Sequence, residues 1–588
     1  MPQSKSRNTG TCFEKTPRVE VAMKKLLKNG LVVNVFVDQV MQSDVLIEDD
    51  RIIGVGCYDA SEADVVLDIS GKYVCPGLID GHIHIESSML APAEFVRACL
   101  PHGTTTVIAD PHEIANVSGL NGIGYMLDAT EGLPMSVYFM MPSCVPATAF
   151  DESGAQLTAA DMASMFRHPR ILGLGEMMNY PGVIGQDREV LRKIEVTRRA
   201  NIIVNGHAPL LHGHDLDRYI AAGIYDDHEC STMEEAAEKL QKGQWIMIRQ
   251  GTAARNLDGL LNLFEEPWSR RCLLVTDDKH PADLLESGHI DNIIRMAAAK
   301  GKSVLTGIRM ATLQAAARYG LQDVGAIAPG YIADLLVLDD LNSFKVRDVY
   351  YKGKPVVENG AVIPFEARRV RNDVWKAVRN SFYLDSLTPE HFHIVPKAGP
   401  CRVIRVIPDQ LITKEERVAL DFTTGNGIDV KRDILKLAVI ERHMNSGHIG
   451  LGYITGLGLR EGAIASSVSH DSHNLIVVGA DEESMTAAAN CVREMGGGLA
   501  VVRNGQVLAS MPLPIGGLMG KKSAAEMARL NQEVRQAAEV LGHAEGIDPF
   551  MNLAFVSLPV IPDLKMTTLG LVNVNAQKQV PLFCEEDM

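Results

Sequence analysis

Two histidines one residue apart, His82 and His84, end a short apolar run, and four further residues of metal-binding or proton-carrying type recur later: Glu176, His207, His228 and Asp277. In an extended strand alternate side chains share a face, so His82 and His84 project together while Ile83 packs behind them. A lone His-x-His pair fits a polar strand edge equally well. Joined by two more imidazoles and two carboxylates on successive strand ends, it becomes a set able to hold two divalent ions. Glu176 is placed to bridge them through its two oxygens. Such ions lower the pKa of a bound water and yield a hydroxide at neutral pH. Asp277 would take the proton from that water and pass it to a leaving group. A register error of one residue would exchange Asp277 with Asp278.

The set requires elements that end side by side. Between residues 73 and 310 the chain alternates apolar strands with amphipathic stretches of helical length, such as 187–199 and 232–242. The strands are read at 73–84, 104–109, 136–140, 171–175, 202–206, 223–225, 245–248 and 273–276. They stop at His84, Asp110, Ser143, Glu176, His207, His228, Arg249 and Asp277. Eight such units predict a (β/α)8 barrel of the α/β class, with its chemistry at the strand C-termini.

Around it lie two further regions. Short β-rich runs at 31–35, 43–47 and 51–56, preceded by a helix expected at 19–27, form the first half of a small β-sandwich domain (1–72). The runs after the barrel supply its second half (311–375), so the barrel is inserted into it. Residues 376–588 form a C-terminal α+β domain with strands at 402–407, 475–478 and 499–502 and helices at 431–441, 482–494 and 522–541. The glycine-rich stretch 447–462 misses the G-x-G-x-x-G spacing of a phosphate cradle.

Composition narrows the class. At 588 residues, 46% hydrophobic and 22% charged, the chain is long enough for two or three globular cores. A net charge of −16 argues against a nucleic-acid partner, whose phosphates require a basic face. Ten scattered cysteines without a C-x-x-C pair fit a reducing compartment. The polar N-terminus lacks a secretory pattern and no run approaches the roughly 18 apolar residues of a membrane span. The expected location is cytoplasmic, with no membrane partner. His84-Ile85-Glu86 begins like a cytidine-type zinc site, yet no P-C-x-x-C follows, and no G-x-S-x-G is present.

CPGLIDGHIH (75–84) is similar to the opening strand of the amidohydrolase superfamily. HIHIESSM (82–89), DPHEIANV (110–117), GLGEMMNYPGVI (173–184), NGHAP (205–209), DDHE (226–229), RQGTAARN (249–256) and TDD (276–278) more closely resemble the bacterial adenine deaminases. The likeness continues through HDSHN (470–474) and so covers nearly the whole chain. Many superfamily members bridge their metals with a carboxylated lysine on the fourth strand; here Glu176 stands there, as the resemblance implies. It further implies hydrolysis of adenine to hypoxanthine and ammonia, hydroxide attacking C6 with two divalent ions, manganese or iron, and zinc as a third candidate. Glu86, Ser87, Asp110, His112, Glu113 and Asp278 lie on the same rim as candidates to hold the ring. His470 and His473 belong to a strand–turn–strand tip expected to fold over the barrel mouth. The expected assembly is a homo-oligomer, a homodimer. The same ligand set would also serve a cyclic amide or another aminated ring, and an idle relative would keep the fold alone.

Overall fold

The computed structural model describes residues 23–252, 254–408, 410–423 and 426–584. Eight parallel strands form the barrel: Leu78–Ile83, Thr104–Ala109, Ser136–Met141, Ile171–Met177, Ile203–Gly206, Asp226–Asp227, Trp245–Arg249 and Cys272–Val275. The first five hydrogen-bond as one sheet and the last three as another. One seam closes through a parallel bridge between Ile83 and Asp277, where the Asp277 amide donates to the His82 carbonyl at 3.0 Å. The other relies on a side chain. Asp226 accepts from the Gly206 amide and from Asn205 Nδ2, both at 2.6 Å, and from Arg318 Nε at 2.7 Å. Strand six is only two residues long and lies just downstream of the 223–225 run expected to form it.

Apolar side chains fill the barrel below its rim: Ile79, Ile108, Met140, Met247 and Leu273 are each at most 1% exposed. Burial of each such side chain stabilises by roughly 1.5–3 kcal/mol, which gives the polar rim a rigid base. The outer helices start where the sequence provides caps. Asp187 accepts from the amides of Glu189 and Val190 to begin Arg188–Arg199, and Thr232 accepts from Glu235 to begin Met233–Gln241.

The predicted strand 73–84 is two strands. Tyr73–Pro76 pairs with Leu335–Leu338 and with Leu31 and Val32, and only Leu78–Ile83 enters the barrel. Gly77 makes the transition, packed so closely that a Cβ there would lie 2.2 Å from Thr105 Oγ1. The strands before and after the barrel join in one nine-stranded sheet. The helix expected at 19–27 is corrected: from Lys24 onward the chain is the strand Lys24–Asn34, and residues 19–22 lie outside the described residues. Leu26 and Leu27 are fully buried there against the ladder of Gln39–Glu48. Cross-strand packing outweighs the helix propensity of the Lys-Leu run.

The C-terminal region is built on an eight-stranded sheet, ordered Thr413–Val418, Cys401–Val406, Ile449–Thr455, Leu435–Ile440, Leu475–Gly479, Ala463–Ser466, Gly498–Arg503 and Gln506–Pro512. The helices Glu482–Met495 and Ala524–Leu541 match expectation. The helix expected at 431–441 does not form: a short 3-10 turn ends at Asp433, in the left-handed region (φ 56°), and Leu435–Ile440 is a central strand buried throughout. A short, wholly apolar run carries no periodicity to separate strand from helix. This domain packs on the barrel mouth, where Leu90 and Gly520 form a parallel bridge. No helix among the described residues is long and apolar enough to cross a membrane.

Candidate active site

The strand ends bring the six predicted ligands together. Glu176 is the penultimate residue of strand four, with each oxygen committed to a different side. Oε1 lies 3.4 Å from His84 Nε2, while Oε2 lies 2.8 Å from His207 Nδ1 and 3.1 Å from His228 Nε2. Asp277 Oδ1 lies 3.0 Å from His84 Nε2 and 3.9 Å from His82 Nε2. The His82 and His228 rings stack at 4.2 Å. Asp277 adopts a left-handed backbone (φ 59°), uncommon for a side-chain-bearing residue, which turns its carboxylate to the barrel axis just past strand eight.

Asp110 organises this centre from behind the cavity. Its carbonyl lies 2.9 Å from His84 Nδ1, which fixes the ring with Nε2 turned inward. Its carboxylate accepts the Glu176 amide at 2.9 Å and fills the space left by Gly175, where a Cβ would sit 2.0 Å from Oδ2. Burial, with the Glu176 carboxylate nearby, pushes the Asp110 carboxyl up to about 7 against the pull of His112 and His84. Burial alone would also raise Glu176, but hydrogen bonds from His112, His207 and His228 hold it well below the usual range.

The donor set passes a direct test for metal. His82 Nε2 is buried without a hydrogen-bond partner. Ligand atoms of His82, His84 and Glu176, of His82, His228 and Asp277, and of Glu176, His207 and His228 lie within 4.8 Å of one another. Inward imidazole nitrogens and shared carboxylates at this spacing suit divalent cations.

Two residues of the site escaped the sequence reading. Arg249 ends strand seven and grips Glu229 through Nη1 (2.5 Å) and Nη2 (3.0 Å), while Nη1 also reaches Asp277 Oδ2 at 2.5 Å. Burial works against charge on Asp277, and Arg249 and His84 overcome it to hold the carboxyl well below its ordinary value. The missed signal was available, because Arg249 occupies the strand-end position that singled out Glu176 and Asp277, and Glu229 follows His228.

The rim candidates divide. His84, His112, Glu176, His207, His228, Asp277, Asp278 and His470 line one cavity of about 420 Å³. His112 stands 3.2 Å from Glu176 and reaches Asp471 at 3.6 Å. Glu86, Ser87 and Glu113 lie outside that lining. Ser87 Oγ contacts Glu113 and Asp278, each at 2.5 Å, and the Glu86 carboxyl accepts the Ile114 amide at 3.3 Å. One hydroxyl has one hydrogen, so one of Ser87's two partners must supply its own. Burial, with Glu86 and Asp278 nearby, pushes Glu113 up to about 8 and makes it that partner. The C-terminal tip does reach the barrel: His470 stacks on Phe555 at 4.4 Å, and its Nδ1 lies 3.8 Å from Glu113. His473 sits behind, accepting the Ser469 amide at 3.1 Å, and does not line the cavity.

Known proteins resemble this chain along almost its whole length. The model for the amidohydrolase family matches residues 73–356, and that for the adenine deaminase C-terminal domain matches 410–578. The protein named adenine deaminase 2 of Carboxydothermus hydrogenoformans is 47% identical over 570 residues, covering 96% of this chain and 98% of its own. The adenine deaminase of Desulfatibacillum aliphaticivorans is 46% identical, with the same coverage of 96% and 98%. Among solved structures, dihydropyrimidinase from Brevibacillus agri aligns over 58% of this chain and 96% of its own, at 17% identity and a TM-score of 0.46. With likeness of this extent reaching through both the barrel and the C-terminal region, the chain belongs to the adenine deaminase family of amidohydrolases.

Proposed function

We propose that this protein hydrolyses adenine to hypoxanthine and ammonia. The observation that carries the reading is Glu176, whose two oxygens face His84 on one side and His207 and His228 on the other. The full-length likeness to proteins named adenine deaminase supports the substrate. His82, His84, Asp277 and Glu176 would hold one divalent ion, and Glu176, His207 and His228 a second. Mixed imidazole and carboxylate donors suit manganese or iron(II), with zinc the third option. When bound, the pair supplies Lewis acidity that lets water act as a nucleophile at neutral pH.

The protein's own residues would do the rest. Deamination moves two protons from the attacking water, one to the departing nitrogen and one to ring N1, as C6–O forms and C6–N6 breaks. Asp277, held ionised by Arg249, accepts the first proton and delivers it to N6. Asp278 is turned to Ser87 and is the poorer candidate for that task. The C-terminal tip and Phe555 cover the mouth and limit bulk water at the reacting carbon. The test is direct: purified protein loaded with manganese should form hypoxanthine and ammonia in equal amounts from adenine. Release of neither would overturn the assignment.

A further inference from the structure

We infer that Asp471, carried into the barrel mouth by the C-terminal domain, accepts the imidazole-ring N–H of adenine and so selects the free base over purines substituted at N7 or N9. The inference rests on adenine being the substrate. Asp471 is 2% exposed, lines the cavity with His84, Glu176 and Asp277, and has its Oδ2 buried without a hydrogen-bond partner. Carboxylates in turns ordinarily bond local backbone; this oxygen does not.

The tip is pinned from both domains, so the carboxylate is fixed in place. Ser472 Oγ donates to Asp151 Oδ2 at 2.6 Å, and Asn474 Nδ2 donates to the Glu152 carbonyl at 2.7 Å, both on the barrel side. From the C-terminal side, His443 Nε2 lies 2.7 Å from the Ser472 carbonyl, and Arg442 Nε donates to the His473 carbonyl at 2.7 Å.

Distance decides which purine group it meets. His112 spans the gap, with Nδ1 3.2 Å from Glu176 and Nε2 3.6 Å from Asp471. Asp471 is therefore set back from the metal-binding carboxylate by the width of an imidazole ring plus two contacts. A bicyclic base with C6 at the reacting centre extends its five-membered ring over such a gap. Ring nitrogens bearing lone pairs offer an acceptor nothing; only the N–H does. A site built around one hydrogen bond rejects analogues that lack it.

The experiment compares kcat/KM for adenine, 7-methyladenine and 9-methyladenine in the full-length manganese-loaded protein and in Asp471→Ala and Asp471→Asn, with metal content measured throughout. The wild type should favour adenine over each methylated base by about 100-fold or more. Asp471→Ala should lose about 100-fold on adenine, chiefly in KM, while its rates on the methylated bases stay unchanged or rise. Asp471→Asn keeps an acceptor oxygen and the side-chain volume and should recover part of the loss, which also covers the case in which the alanine variant folds poorly. Parallel losses on all three bases, or a wild type that accepts the methylated bases as readily as adenine, would overturn the inference. No ammonia from adenine in the wild type would instead overturn the substrate assignment beneath it.

Discussion

Replacing Arg249 with glutamine should separate metal binding from proton transfer. Arg249 is 7% exposed, and its guanidinium touches Glu229 twice and Asp277 once. Removing one partner of a buried ion pair costs about 3–5 kcal/mol, because the remaining charge keeps its desolvation penalty. Glu229 retains His207 at 3.5 Å and His228 at 3.3 Å, so the lower end applies here, about 3 kcal/mol of stability. Asp277 loses the guanidinium that fixes its Oδ2. A displacement near 1 Å of a reacting group costs about 10²-fold in rate. We therefore expect kcat for ammonia release to fall about 100-fold, with two metals per chain retained and thermal stability reduced. Arg249→Lys restores charge but not the fork that holds both carboxylates, and should recover no more than about tenfold of that loss. Steady-state kinetics, metal analysis and calorimetry on the same preparations measure all three effects. If Arg249→Gln keeps kcat within about threefold of wild type at full metal content, Asp277 does not depend on Arg249 and the electrostatic argument fails.

Other consequences are equally specific. Asp277→Asn should lower kcat by about 10²–10⁴ while Asp278→Asn is milder; the reverse order would place the proton carrier one residue later. If Glu176 bridges the two ions without any modification, reactivation of metal-free protein should be indifferent to added bicarbonate, and a strict bicarbonate requirement would count against it. Away from the site, burial pushes the Asp334 carboxyl up to about 7 even though it accepts the Lys352 amide at 2.7 Å. A carboxyl raised in the folded state favours folding below its unfolded value near 3.9, and that contribution is lost as pH climbs through about 7, roughly 4 kcal/mol at most. Asp334→Asn should flatten the fall in stability between pH 5 and 8 and exceed wild type at pH 8; identical denaturation profiles would refute this.

The barrel was legible because its strands stop at residues that a core cannot use. Glu176, His207 and Asp277 could be placed on one rim from strand ends alone, since period-2 runs define both where a strand lies and which face its last residue takes. What local pattern cannot encode is partnership. Leu435–Ile440 reads equally as buried helix or strand, and only its two sheet neighbours decide. Strand six shrinks to Asp226–Asp227 because a side chain, not a ladder, closes that seam. Arg249 and Glu229 stood in quoted motifs yet gained a role only once their distance was known. Asp471 was passed over in favour of His470 and His473 because a turn at residue 471 gives no sign of pointing its carboxylate at a site more than 190 residues upstream.

The central claim is a two-metal centre sharing Glu176 that deaminates adenine. Stepwise addition of manganese to metal-free protein, with hypoxanthine and ammonia followed at each step, tests it most directly. Equal yields of the two products are expected, with activity that rises until two equivalents are bound per chain. Full activity at a single equivalent, or bound metal without hypoxanthine, would contradict it.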